Sequence, residues 1–377
     1  MATTQTRAPA ERLGSESSRL PNTAAIVVLA LVAAAMAAVA YNARTGAVSP
    51  RIANPEVIGV PRPVEFLFGW TGWLVLHQVG TVVMMLALVA VFVWAWRRHP
   101  AHPYLLMVCA STAIVWQDPI MNWAPYAVYN PQLWHFPEDW PLARLSPTVE
   151  PFIVIGYSTF YFIGPFFVGS WILRHLQARA SVDSFVWRRP LLSLALLLFV
   201  VGFVMDAALE IFLVRTGLYI YSQVTPWGSL FAGTTFQFPL IVESSLVTVV
   251  MVPAGVLCHR DDTGHTQAEK LARRLPWFPT RPALATFVVM AVTLNLAYFV
   301  YGAGFATIRA AKLATAVACP WPFPEAKVYD PNGFYEREGQ RGPYFEGHWN
   351  GWMSGQPSGR PDVTPPADGG RCGANRG

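Results

Sequence analysis

Long apolar runs alternate with short polar ones along this chain, and seven of the runs approach the length of a membrane crossing. A transmembrane helix needs about 20 mostly apolar residues to cross a hydrocarbon core roughly 30 Å thick. The pattern predicts spans at roughly 22–42, 66–96, 102–122, 150–174, 190–214, 229–257 and 282–305. The expected fold class is therefore all-α, a polytopic membrane helix bundle of about seven transmembrane helices over 22–305. A disordered cytoplasmic tail, 1–21, precedes it. Ala-Val-Ala at 38–40 mimics a signal-peptide cleavage site, but the apolar run is long for a signal peptide and favours an anchor.

Two segments beyond the spans break the pattern. Residues 123–149, WAPYAVYNPQLWHFPEDWPLARLSPTV, are rich in Pro and Trp. Proline forbids a long regular helix there. Such aromatics form either an interfacial belt or a lid over a pocket. The segment 306–350 is dense in Gly, Pro and aromatics and is expected to be ordered and docked on the bundle, with Asp330-Pro331-Asn332-Gly333 as a reversing turn. The stretch 351–377 reads as disordered.

Composition supports a membrane protein: 53% of residues are hydrophobic and 13% charged, where soluble domains average about a quarter charged. Fourteen Arg and Lys fall in the N-terminal tail and the loops after spans 2, 4 and 6, and five in the alternate loops. The positive-inside rule then places a multi-pass protein in the cell membrane with its N-terminus in the cytoplasm and its C-terminus outside. Nothing suggests nucleic-acid binding, for there is neither zinc-finger spacing nor a basic stripe interleaved with aromatics. The four cysteines show no CxxC pairing, which argues against a structural metal. Cys319 and Cys372 share the outer tail, where a disulfide is one option.

The candidate chemistry lies in polar groups inside the apolar runs, where ionisable side chains are rare and usually functional. Asp118 and Asn122 end span 3 in WQDPIMNW, Asp206 and Glu210 lie in FVMDAALEIF of span 5, and Glu243 lies in FPLIVESSL, near the middle of predicted span 6. Asp206 and Glu210 are four apart and share a helical face. Pro119 discourages helix at Asp118 and frees a carbonyl beside it. Asp118, Asp206, Glu210 and Glu243 are expected to converge on one cavity as the catalytic groups. His77, Gln117 and Asn122 would be polar pocket residues, and Trp116, Trp123, Tyr157 and Phe203 would form its walls. Four carboxylates without an intramembrane Lys or Arg cannot all be ionised cheaply, and one of Asp206 and Glu210 should stay protonated. A neutral carboxylic acid near neutral pH is a proton donor. Each of these residues also has a plainer use: a lone buried Asp, His or Asn can serve as interhelical glue, and an aromatic as ordinary packing.

The tail text CPWPFPEAKVYDPNGFYEREGQRGPYFEGHW, 319–349, taken with WQDPIMNW and DAALE, resembles the spirocyclase AveC-like family of actinobacterial membrane proteins over roughly residues 60–350. The resemblance implies secondary metabolism: closure of a dihydroxy-ketone into a spiroketal, or a dehydration. Such closure requires a proton donor, a second carboxylate to stabilise an oxocarbenium ion, and scarce water, and it needs no cofactor or metal. The expected function is a membrane-embedded, cofactor-free enzyme, a cyclase or dehydratase acting with acid assistance on a lipophilic polyketide, lipid or terpenoid. Its partners would be that small molecule and the lipid bilayer. The residues alone also allow a proton-coupled transporter, against which the lack of internal repeats counts, or a non-enzymatic membrane partner.

Overall fold

The computed structural model describes residues 66–318, apart from 126, 131, 138–141, 144–145 and 276–277. The first predicted span, the N-terminal tail and the tail from 319 onward, with Cys319, Cys372 and the Asp330–Gly333 turn, lie outside the described residues. In chain order the main helices are α1 (Trp73–Arg98), α2 (Pro103–Thr112), α3 (Asp118–Trp123), α4 (Val154–Tyr161), α5 (Gly164–Arg179), α6 (Phe185–Arg188), α7 (Pro190–Arg215), α8 (Leu240–Cys258), α9 (Gln267–Ala272) and α10 (Pro282–Ala310). Four short strands complete the described fold: β1 (Ala127–Tyr129), β2 (Tyr219–Tyr221), β3 (Gln223–Val224) and β4 (Ala316–Val317).

The fold is a helical membrane bundle. Among the described residues five helical segments are long and apolar enough to cross a bilayer: α1, the continuous stretch Pro103–Trp123, α7, α8 and α10. Helices satisfy every backbone hydrogen bond within the segment, as hydrocarbon requires. Pro103, Pro190 and Pro282 open α2, α7 and α10, positions where a missing N–H costs nothing. Two expectations change. The segment predicted as 150–174 divides at Phe162–Ile163 into α4 and α5, ahead of Gly164-Pro165. The segment predicted as 229–257 starts its helix only at Leu240. Pro226 and Pro239, with positive φ at Gly228, Phe231 and Gly233, hold the preceding residues in turns.

α7 packs on α8 and α5, and α10 packs on α2 and α8. Their shared core includes Leu106, Ile114, Leu198, Met251 and Leu294. Close approach of α7 and α8 depends on glycine. A Cβ on Gly255 would lie 2.6 and 2.9 Å from the methyls of Leu198, which is fully buried. Gly255→Val is expected to destabilise the bundle by about 1–3 kcal/mol, against a few tenths regained in helix propensity. A lowered thermal-unfolding midpoint in lipid nanodiscs is the expected reading, and an unchanged one would show that the two helices part at no cost.

The Pro- and Trp-rich segment is neither helix nor a loose belt. β1 pairs antiparallel with β2, Ala127 opposite Tyr221 and Tyr129 opposite Tyr219. A second apolar cluster joins Tyr129, Leu133, Val149 and Ile153 to Val214, Leu218, Tyr219 and Phe238. This cap covers the bundle end where α3, α7 and α10 finish and α4 and α8 begin. Two side-chain bonds tie α1 to that end: Gln78 Oε1 accepts from the Trp134 N–H at 2.5 Å, and His77 Nε2 meets Thr216 Oγ1 at 2.8 Å.

Candidate active site

Under the cap, buried carboxylates form two groups. The first begins with the break that Pro119 imposes: α2 stops at Thr112, a 3-10 turn covers Val115–Gln117, and α3 starts at Asp118. Asn122, one turn later, donates from Nδ2 to Asp118 Oδ2 at 2.9 Å and to Glu150 Oε2 at 3.1 Å. The Tyr157 and Tyr298 hydroxyls donate to Asp118 Oδ1, each at 3.1 Å. Ser146 donates to Glu150 Oε2. Asp118 and Glu150, 2% and 4% exposed, lie side by side on the one Asn122 amide donor. No N–H or O–H donor reaches Glu150 Oε1, and two buried carboxylates so close cannot both be ionised cheaply, so the pair holds a proton. Burial first, and then the charge of Asp118, hold Glu150 well above the usual carboxylate range.

The second group is Asp206, Glu210 and Glu243, whose nearest oxygens all lie within 4.8 Å of one another. The four-residue spacing on α7 puts Asp206 and Glu210 side by side, and the late start of α8 puts Glu243 in its first turn, level with them. Tyrosines hold one oxygen of each: Tyr161 donates to Asp206 Oδ1, Tyr219 and Tyr221 to Glu210 Oε2, and Tyr301 to Glu243 Oε1 at 2.8 Å. Burial keeps the Tyr221 phenol above its ordinary range, so it acts as a neutral donor. Any two ionised carboxylates at this separation would repel by about 3–4 kcal/mol at an effective dielectric near 20. Three bare charges are therefore untenable, and protons or a cation must compensate them.

Both groups meet at a cavity of about 60 Å³. Asp118, Asn122, Glu210 and Glu243 line it, together with Tyr129, Tyr157, Tyr161, Tyr219, Tyr221, Tyr298 and Tyr301. Among the described residues no Lys, Arg or His lines it. It is an acidic, hydroxyl-rich chamber at the end of a membrane bundle, suited to giving and taking protons with little water present.

Residues 96–329 match the family described as spirocyclase AveC-like. The chain belongs to that family. The matched region runs from the end of α1 through α10, contains all five carboxylates, and includes the aromatic tail only as far as residue 329. No curated protein and no solved structure matches the chain.

In this family member the residues expected at the site separate clearly. Asp118, Asn122, Tyr157, Glu210 and Glu243 line the cavity, and Asp206 stands directly behind its wall. The other polar and aromatic candidates lie elsewhere. Gln117 Nε2 donates to Asn295 Oδ1 at 2.8 Å, and Trp116, half exposed, donates to the same oxygen at 2.9 Å. His77 bonds Thr216. Trp123 lies under the Arg309 guanidinium, 4.3 Å from it, and Phe203 packs on Phe199. The polar contacts among these join helices in the way membrane bundles do, whereas Phe199 and Phe203 lie one turn apart on α7. Sequence reasoning passed over Glu150 and six of the lining tyrosines. Glu150 sat at the edge of a predicted span, where a carboxylate looks solvated. The tyrosines looked like interfacial aromatics, although their spacing carried a signal: Tyr157 and Tyr161 are four apart, Tyr298 and Tyr301 three apart, and Tyr219 and Tyr221 alternate along a strand.

Proposed function

We propose that this protein is a membrane-embedded cyclase that closes a lipophilic dihydroxy-ketone, of polyketide, lipid or terpenoid type, into a cyclic ketal with loss of water. The buried Asp118–Glu150 pair, joined through Asn122 at the cavity, supports this reading most strongly. Asp118 faces the cavity and gives its proton to the hydroxyl of a hemiketal. The C–O bond breaks, water leaves, and an oxocarbenium ion remains. A second hydroxyl of the substrate attacks that carbon, and its proton returns to the Asp118 carboxylate. Glu150, behind Asp118, is a positioning residue that keeps a proton in the pair. Negative potential from the Asp206, Glu210 and Glu243 group favours the cation. Dehydration of an alcohol would use the same proton donor and acceptor. The chamber is smaller than any such substrate, so binding requires the β1–β2 cap to move aside.

This assignment differs in detail from an acid on Asp206 and Glu210, because Asp118 faces the cavity with Glu150 paired to it through Asn122. Comparing lipophilic metabolites of a deletion strain and its complemented counterpart tests the reading. The deletion strain should accumulate a compound heavier by one water than a product present only on complementation. Metabolite profiles that do not differ by such a pair would reject it.

We also propose that the cavity faces outward, since the helix ends remote from the cap carry Arg97, Arg98, Arg179, Arg189 and Arg281 and basic ends stay in the cytoplasm. Reporter fusions at residues 98, 182 and 265 should all report cytoplasm. A periplasmic signal at two of them would invert the orientation.

A further inference from the structure

We infer that Asp206, Glu210 and Glu243 bind a hard divalent cation, Mg²⁺, Mn²⁺ or Ca²⁺, at the wall of the cavity. Three observations carry this. The first is the donor set. Three carboxylates from two helices put their nearest oxygens within 4.8 Å of one another. Oxygens on opposite sides of an ion lie roughly 4 Å apart around Mg²⁺ and roughly 4.6–5.2 Å apart around Ca²⁺, so the span of the group is that of a coordination sphere. All-oxygen donors select this class of ion over zinc or copper.

The second is that buried polar atoms are left over. Asp206 Oδ2 and Glu243 Oε2 have no hydrogen-bond partner, although Asp206 is fully buried and Glu243 nearly so. Buried polar atoms are almost always partnered. Two orphaned carboxylate oxygens within one cluster therefore point to something that binds oxygen.

The third is the support around the group. The partnered oxygen of each carboxylate is held by a tyrosine hydroxyl: Tyr161 on Asp206, Tyr219 and Tyr221 on Glu210, Tyr301 on Glu243. Outer donors of this kind orient the carboxylates of a metal centre and leave the other oxygen for the ion. Glu210 and Glu243 line the cavity while Asp206 is behind them, so the open coordination positions would face the chamber, where water or a substrate oxygen can take them. The site departs from the expectation of a cofactor-free protein. It rests on its own geometry and not on the cyclase reading, and one divalent ion leaves the group net negative, so the sign of its potential is kept.

Purified full-length protein in lipid nanodiscs, stripped with chelator, should be titrated with Mn²⁺ and followed by the spin-resonance signal of the free ion. One saturable site per chain is expected, displaced by excess Mg²⁺ or Ca²⁺. Glu243→Gln and Asp206→Asn should each weaken it at least tenfold, whereas Asp183→Asn, exposed in the turn between α5 and α6, should bind as the parent does. The inference is overturned by no saturable Mn²⁺ binding to the parent protein, or by binding unchanged in both Glu243→Gln and Asp206→Asn. If those variants do not fold, thermal unfolding of the parent decides: a midpoint raised by Mn²⁺ and saturating at one ion per chain supports the site, and an unmoved midpoint overturns it. Loss of cyclisation with Mn²⁺ binding intact would count against the cyclase reading alone.

Discussion

A strain whose only copy carries Asp118→Asn should accumulate the same water-heavier precursor as the deletion strain, with product down by about 10²–10⁴-fold, the range that general acid–base assistance supplies. Asparagine keeps the size of Asp118, and its Oδ1 can still accept from Tyr157 and Tyr298, while Asn122 keeps its bond to Glu150. The new amide cannot pass a proton to a leaving hydroxyl. Membrane levels of the protein should therefore hold while the product disappears. Product at parental levels would remove Asp118 from the chemistry.

The second large effect is expected at Glu150. Burial and then Asp118 hold this carboxyl well above the usual carboxylate range, so the pair retains a proton to higher pH than an ordinary carboxylate does. Parental activity should persist through neutrality and decline as pH rises through that raised value, because the pair then loses the proton it shares. Glu150→Gln removes the proton store and leaves the hydrogen-bonding shape that Ser146 and Asn122 recognise. We expect activity at neutral pH to fall by about tenfold or more and the alkaline decline to begin at a lower pH than in the parent. A fall by the same factor at every pH would mean that Glu150 merely holds structure together.

Much of the bundle and part of the site are legible in the amino-acid sequence. Apolar run length located the spans because hydrocarbon thickness sets helix length and leaves little choice of structure. Carboxylates in those runs stood out because their desolvation is costly enough to be rare. Four-residue spacing correctly joined Asp206 to Glu210 and Asp118 to Asn122, since a helix repeats nearly every four residues. What hydropathy could not show was where a run stops being helical. The 229–257 run is predominantly apolar, yet its first part, with Gly233-Thr234-Thr235, Gln237 and Pro239, folds as turns, and this puts Glu243 in the first turn of α8, in contact range of the α7 pair. Long-range pairing was equally hidden. Tyr129 reaches the cavity because β1 pairs with β2 across some 90 residues of sequence, and no local periodicity encodes that. Glu150 and Asp118 meet only because the cap folds back over α3. Trp116, Phe203 and His77 seemed good pocket residues by chain position, but helix rotation points them elsewhere, and that angle is decided by packing against neighbouring helices.

The central claim is that the Asp118–Glu150 proton drives loss of water from a lipophilic dihydroxy-ketone in the membrane. The most direct measurement is conversion of the accumulated, water-heavier compound by the purified protein in lipid nanodiscs, followed by mass spectrometry. The account predicts that the parent protein releases one water and forms the cyclic product, and that Asp118→Asn in the same nanodiscs does not. An intact precursor after incubation with folded parent protein, or equal conversion by Asp118→Asn, would contradict it.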